Sequence, residues 1–456
     1  MTECTASEIR AKAPGRREFV ARFDGGDITS DAGVLLLGAV EERRSILKRL
    51  AGCFKDHRSP KRIEHTVEEL VTQRVWAIAL GYEDVNDHKE LRLDPLLAAL
   101  AGKTDPKRKP LAAPATIHRL ELSHPELAAD DRYCRISLDH EAVDGLLIDL
   151  FLEAYEEPPS EIVLDIDATD DPIHGKQEGR FFHGYYDCYC YLPLYIFADG
   201  HLLCSRLRTA DRDGADGSVE ELERIVHKIR EAWPQTRIIV RGDSGFCREW
   251  LMAWCESESV EFVLGMAKNE RLKEEVASEL EEARLRHERS GNPERIFKSF
   301  EYRTLESWSR LRRIVGKAEH LKHGTNPRFV VTSFSEEEWD ARRLYEELYC
   351  ARGEMENRIK EQQLDLFADR TSCCVMRANQ VRLYFSSFAY VLLSELRRIG
   401  LEGTELARAQ CGTIRLKLLK IGARIRVTVR CIWIAMSESW PNREILLHAW
   451  QRLRPT

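Results

Sequence analysis

Two aspartates, Asp165 and Asp167, stand two residues apart in the stretch EIVLDIDATDDP, among Ile162, Val163, Leu164 and Ile166. Apolar, β-branched neighbours predict a buried strand that starts at Glu161 and is closed by Pro172. Strand side chains alternate with period two, so both carboxylates point to one face. A carboxylate in a buried strand is costly unless something pairs with it, and a divalent cation is the usual partner. Asp170 and Asp171 better fit the plainer role of capping the turn that follows. A second short strand, Arg237 to Arg241 in RIIVRGDSGF, breaks at Gly242, with Asp243 at the break. Two strands that each deliver an acid to one edge of an α/β sheet make a candidate metal site. Two-metal phosphoryl transfer asks for roughly three carboxylates. The stretch YCARGEMENRIKE offers the third as Glu354 or Glu356. Tyr349, Arg352, Glu356 and Lys360 fall at i, i+3, i+7 and i+11, one stripe of a helix. A solvated stripe of alternating charge would look the same; the two acid-bearing strands upstream favour chemistry.

The elements that must position these groups can be read along the chain. Residues 1–155 are mostly helical. Thr29, Ser30 and Asp31 offer caps to the periodic run VLLLGAVEERRSILKRL, and Thr66 with Glu69 has capping-box spacing ahead of a second helix. GKTDPKRKPLAAPA is a loop or linker, and AVDGLLIDLFLEAY another amphipathic helix. Strands begin at Glu161. CYCYLPLYIF and HLLCSRLR flank the turn Ala198-Asp199-Gly200, a hairpin signal. A helix from Gly217 to Trp233 turns Leu222, Ile225, Val226 and Ile229 inward, and the Asp243 strand, the helix REWLMAWCE and the strand VEFVLGM follow. Three consecutive strands followed by α-β-α-β exclude a Rossmann order, and no glycine-rich phosphate loop is present. The fold class is α/β, a mixed sheet in the order β-β-β-α-β-α-β-α of a ribonuclease H-like catalytic core with a helical N-terminal domain. Residues 268–335 interrupt that core as a β-rich insertion with a basic centre at Arg310, Arg312, Arg313 and Lys317. A helix then resumes at Glu336 and runs to about Gln363. The expected domains are 1–155, 156–267, 268–335, 336–400 and a basic region, 401–456.

Composition narrows the partners. The 456 residues are 43% hydrophobic with a formal net charge of -7, so a nucleic-acid surface must be local. Residues 375–456 supply one, with 14 Lys and Arg against five Glu. In TIRLKLLKIGARIRVTVRCIW, Arg415 and Lys417, then Arg424, Arg426 and Arg430, alternate with apolar residues, the pattern of a two-faced sheet whose cations suit phosphates. The 13 cysteines contain no CxxC pair, which excludes a zinc finger and suggests mostly buried thiols in a reducing cytoplasm. The N-terminus has no apolar signal core, and no apolar run is long enough to span a membrane. A soluble, cytoplasmic protein is expected.

The motifs FDGGDITSDAG, ALGYEDVNDHKELRLDP, LDIDATDDPIHGKQEG, GYYDCYCYLPLY, RGDSGF and YCARGEMENRIKE resemble, in order and over nearly the whole length, the DDE transposases of bacterial insertion sequences, specifically the thirteen-eighty family. The resemblance implies a ribonuclease H-like core with a β insertion before the third acid. It also implies cut-and-paste DNA transposition with two Mg²⁺ ions, which Mn²⁺ can replace. Asp167, in its Asp-x-Thr context, matches the first acid, with Asp165 second; Asp243 matches the second. Glu356 matches the third through the Tyr-x-x-Arg-x-x-x-Glu signature of Tyr349 and Arg352. In related enzymes a closing Lys or Arg lies seven residues beyond that Glu; here Gln363 stands there, and the basic role passes to Lys360. The implied partners are double-stranded DNA, as inverted-repeat ends and target, and a second copy in a homodimer, at the bacterial nucleoid. Related enzymes also stack an extruded base on an aromatic ring of the insertion, a role open to Trp308, whose other reading is subdomain core. A nuclease that stops at hydrolysis, or an inactive DNA-binding remnant, are the alternative functions.

Overall fold

The computed structural model describes residues 8–106, 109–125 and 135–454. The first seven residues, and Lys107 and Arg108 of the expected loop, lie outside them. The chain divides into two compact units, Asp139–Ser387 and the combination of Met1–Leu138 with Phe388–Thr456.

The Asp139–Ser387 unit is built on a nine-stranded mixed sheet. Its main strands are β1 (Glu161–Ala168), β2 (Leu194–Ala198), β3 (His201–Arg206), β4 (Arg237–Gly242), β5 (Glu261–Met266), β6 (Glu294–Tyr302), β7 (Arg312–Leu321) and β8 (Arg328–Thr332). They lie in the order β3-β2-β1-β4-β5-β8-β7-β6. β1, β2 and β3 are antiparallel neighbours, while β4 and β5 run parallel to β1. The expected hairpin forms at Asp199-Gly200, both with positive φ (46° and 79°), as a two-residue primed turn requires. Helices α1 (Ser218–Ala232) and α2 (Glu249–Ser257) make the crossovers to β4 and β5.

Alternation along β1, β4 and β5 gives the sheet two dry faces. Ile162, Leu164, Val240, Phe262 and Leu264 pack with Leu222, Ile225 and Ile229 of α1. The opposite parity places Ile239 and Val263 against Leu344, Tyr345 and Leu348, with Val163 packed alongside. Each such buried aliphatic contributes about 1.5–3 kcal/mol. The acid-bearing helical segment is thereby held on the face to which residues 163, 165, 167, 239, 241 and 243 point.

Several expectations are corrected. The β1 strand stops at Ala168, and Asp171–Pro172 pairs instead in a separate small sheet with Phe181–His183 and Cys188–Tyr191. CYCYLPLYIF is two strands because Pro193 has no N–H for a ladder. The insertion is not a separate subdomain, since β6, β7 and β8 extend the main sheet through β8 beside β5. Its basic centre is neutralised within the chain. Arg312 forms short pairs with Glu249 and Glu256, Arg310 pairs with Glu256, Arg313 with Glu336, and Lys317 with Glu319.

Trp308 is 7% exposed in the apolar core, edge-on to Tyr302 with ring centroids 6.0 Å apart. A ring so enclosed stacks on protein and has no face for a base, which overturns its reading as a DNA platform. Trp308→Ala is expected to cost about 3–5 kcal/mol of stability, read as a lowered urea midpoint; an unchanged midpoint would contradict the burial.

In the other unit the capping box forms, with Thr66 Oγ1 accepting from Glu69 N at 3.1 Å. The first long helix breaks at Ser45 (φ 52°) into Val34–Arg44 and Ile46–Gly52. Its N-cap is Gly33 rather than Thr29, Ser30 or Asp31. A Cβ on Gly33 would lie 1.8 Å from the Leu418 carbonyl oxygen, so only glycine admits this approach. Asp27–Thr29 pairs with Ala423–Val427, and Lys420 reaches Asp31 at 2.7 Å. Residues 401–456 are therefore part of the N-terminal unit and not an independent region. Residues 411–419 are helical, so Arg415 and Lys417 lie on no strand face; Arg415 donates to the Ile78 and Ala79 carbonyls. Of the described cysteines four are buried, four half-buried and three exposed, fewer buried than expected. Among the described residues no helix is long and apolar enough to cross a membrane.

Candidate active site

β1 and β4 are parallel neighbours in a register that sets Arg241 opposite Asp165 and Gly242 opposite Ile166. Asp165 and Arg241, both buried, form a two-pronged ion pair, Nε–Oδ1 2.6 Å and Nη2–Oδ2 2.8 Å. The remaining Arg241 nitrogen, Nη1, donates to the Leu348 carbonyl at 2.5 Å. Asp165 is thus occupied by a structural partner, and the same guanidinium fastens the sheet to the helical segment just ahead of Tyr349.

Two residues further along each strand, Asp167 and Asp243 arrive at neighbouring carboxyl ends. Asp167 Oδ1 accepts from Ala168 N at 2.9 Å, and Asp243 Oδ1 accepts from Gly245 N at 2.8 Å, capping the turn Ser244–Phe246. Burial, with Asp243 and Glu356 adding negative charge nearby, pushes the Asp167 carboxyl up to about 7 against the pull of Arg352.

The third acid arrives on a helical run, residues 341–365, that starts at the Asp340 cap rather than at Glu336. It is not a uniform α-helix. Leu344–Tyr349 and Glu361–Asp365 are wide π-type turns flanking α3 (Gly353–Lys360), an irregularity common at functional sites. Arg352 lies against both acids, Nη1 3.1 Å from Asp167 Oδ2 and Nη2 2.8 Å from Glu356 Oε1. Tyr349 is half-buried over β5. A Cβ on Gly265 would lie 2.5 Å from its hydroxyl, so the glycine makes room for the ring beside Asp243. Lys360 is exposed at the end of α3, and Glu354 lines a separate cleft with Asp165, Arg241 and Arg358.

Gln363 is the position where a base was expected. Its amide donates to Asp171 Oδ1 (3.0 Å) and to the Asp170 carbonyl (2.9 Å), tying down the loop that leaves Asp167. Asp171 is wholly buried, and burial holds its carboxyl well above the ordinary range, so it does not cap the turn as expected. Sequence reasoning missed Arg241, Gly265 and Gln363 as positioning residues. Arg241 had a visible signal, because Arg241-x-Asp243 repeats the spacing of Asp165-x-Asp167 on the adjacent strand.

As donors, three carboxylates, of which Asp167 is half-buried beside two like charges, suit a hard divalent cation. Among the described residues no three such groups converge closely enough to form a cage, and the guanidinium of Arg352 lies between Asp167 and Glu356.

Arg424 and Arg426 lie exposed on the strand Ala423–Val427, which pairs with Ile432–Met436; Arg430 sits in the turn between these strands rather than on the first of them.

Comparison with known structures finds similarity to a piggyBac transposase synaptic complex with hairpin DNA, determined by cryo-EM. The identity is 11% over 85% of this chain and 79% of that chain, with a TM-score of 0.39. Comparison with curated protein sequences gives no match. The sequence profile of the transposase DDE domain group 1 family matches residues 12–456, and the chain belongs to that family.

Proposed function

We propose that this protein is a cut-and-paste transposase with a ribonuclease H-like core that binds inverted-repeat DNA ends, cleaves them and joins them to a target, acting as a homodimer. The observation that carries the reading is the delivery of Asp167 and Asp243 to adjacent strand ends, with Arg352 joining Asp167 to Glu356. The order β3-β2-β1-β4-β5, an antiparallel trio followed by two parallel strands, supports the core assignment. Asp167, Asp243 and Glu356 would hold two Mg²⁺ ions, or Mn²⁺ in their place. Such ions, when bound, lower the pKa of an attacking water and stabilise the leaving 3′ oxygen.

The chain's own residues then have separate tasks. Arg352 balances Asp167 and Glu356 until it turns to a DNA phosphate, a bidentate role suited to a guanidinium. Tyr349, half-buried against β5, and Lys360, exposed on α3, bracket that position along the helical run. No protein nucleophile is needed, because the freed 3′-hydroxyl attacks the next strand. Incubating the protein with a pre-cut end and a plasmid target separates transposition from hydrolysis: joined products are expected, and cleavage without joining would leave a nuclease.

The exposed hairpin around Arg424, Arg426 and Arg430 would supply sequence-independent affinity. No acid lies between Lys420 and Ser437. Replacing the three arginines together is expected to weaken binding to every DNA and to lower the salt slope by up to about three. An unchanged slope would assign this face to solvent.

A further inference from the structure

Arg241 and Arg352 each face an aspartate of β1, but they are held in different ways. Arg241 is fixed: itself buried, it grips both oxygens of the buried Asp165 and a backbone carbonyl besides. Among the described residues Arg352 donates to two groups only, Asp167 Oδ2 at 3.1 Å and Glu356 Oε1 at 2.8 Å, and neither belongs to the backbone. The Glu356 side chain is 47% exposed, so water reaches the outer of these two contacts. An ion pair open to water contributes little to stability, and this one can be given up at small cost. The oxygens that Arg352 takes are also the ones a cation would need. Asp167 Oδ1 already accepts from Ala168 N at 2.9 Å, so Oδ2 is the oxygen left for an ion, and Arg352 is on it. A guanidinium and a divalent ion repel one another and compete for the same lone pairs, so one excludes the other from these carboxylates.

We propose that Arg352 is an electrostatic latch: while it bridges Asp167 and Glu356 it keeps divalent cations off these acids, and a phosphate of bound duplex DNA draws it away. The inference rests on the metal-dependent reading above and adds the regulation of that site. A guanidinium meets a phosphate through two parallel N–H···O bonds, as it meets a carboxylate, so the exchange conserves its hydrogen bonds. No covalent bond changes; the positive charge leaves the carboxylates as the negative phosphate arrives. The acids thus become available to ions when a strand is in place. A latch open for about 1–10% of the time in free protein weakens its apparent affinity for ions about ten- to hundredfold. Linkage then requires that ions tighten DNA binding by the same factor by which DNA tightens ion binding.

Mn²⁺ binding to metal-free protein, followed by the loss of the free ion's paramagnetic resonance signal, tests the latch without reference to cleavage. Wild type is expected to bind Mn²⁺ about ten- to hundredfold more tightly once a short duplex is present. Arg352→Gln removes the charge and keeps a polar side chain. Without DNA it is expected to bind Mn²⁺ more tightly than wild type by the same factor, and adding Asp243→Asn should abolish the gain. A DNA-free Arg352→Gln protein no tighter than wild type would overturn the latch. So would a gain that survives Asp243→Asn, because the ion would then lie elsewhere; either result leaves the transposase reading standing. Should Arg352→Gln not fold, the wild type decides: equal Mn²⁺ affinity with and without duplex overturns the latch. If no Mn²⁺ site depends on Asp243 in any of these proteins, with or without DNA, the metal-dependent reading falls with it.

Discussion

Asp167→Asn and Asp243→Asn are each expected to lower strand cleavage by about 10³-fold or more, while binding of uncut DNA persists. Metal-held carboxylates supply several kcal/mol of transition-state stabilisation, and each 1.36 kcal/mol is a factor of ten. The cations proposed to bind phosphate lie on other side chains, so affinity for DNA is expected to survive. Asp167→Asn carries a second signature in metal-free protein. Burial and the nearby Asp243 and Glu356 hold the carboxyl up to about 7, whereas an unfolded aspartate ionises near pH ~4. Between these values the unfolded chain has lost its proton and the folded chain has kept it, so stability falls as pH rises from about 4 to about 7. The Asn variant lacks that slope and should be the more stable protein at alkaline pH, by up to about 4 kcal/mol. Urea midpoints measured in chelator across this range read the effect. A destabilised Asp167→Asn would show that this carboxylate belongs to the framework.

Asp165→Asn is expected to behave in the opposite way. It removes the only carboxylate that Arg241 contacts among the described residues and leaves a buried guanidinium without that charge partner, a loss of about 3–5 kcal/mol. The Arg241 bond to the Leu348 carbonyl would loosen with it, so the helical segment carrying Glu356 loses its register on the sheet. Denaturant midpoints should fall sharply, and cleavage should fall only with the folded fraction. Removing both charges with Asp165→Leu and Arg241→Met should recover much of the stability, since a buried pair replaced by apolar residues is often neutral. If Asp165→Asn stays stable and abolishes cleavage, the two aspartates of β1 have exchanged roles.

These two variants mark the division between what was legible and what was not. Side-chain alternation placed Asp165 and Asp167 on one face correctly, but both looked equally available to a metal. The family's Asp-x-Thr context ranked Asp167 first, and the parallel pairing of β1 with β4 supplies the physical difference, because it sets Arg241 opposite Asp165 and brings Asp243 beside Asp167. Trp308 failed for a related reason: its neighbours in sequence are polar and basic, and its neighbours in space, Tyr302 and the apolar face of the sheet, are not. The insertion looked like a subdomain because its strands follow a helix; whether they pair among themselves or add to β5 is a matter of edge hydrogen bonds between distant residues.

The succession of strands and crossover helices along the chain from Glu161 to Met266, the Asp199-Gly200 turn and the Thr66 cap were determined by the sequence, since each depends on periodicity or on chemistry within a few residues. The family motifs, too, are local strings. The tertiary structure alone decided which carboxylate is neutralised by Arg241, that Arg352 bridges Asp167 and Glu356, and that Gln363 braces the loop after Asp167. It also decided that Gly33 must admit a carbonyl from residue 418, and that 401–456 completes the N-terminal unit. The reason is common to all of these. A buried charge or a close backbone approach acquires its meaning from a partner dozens to hundreds of residues away, and no local pattern encodes which partner the fold will bring.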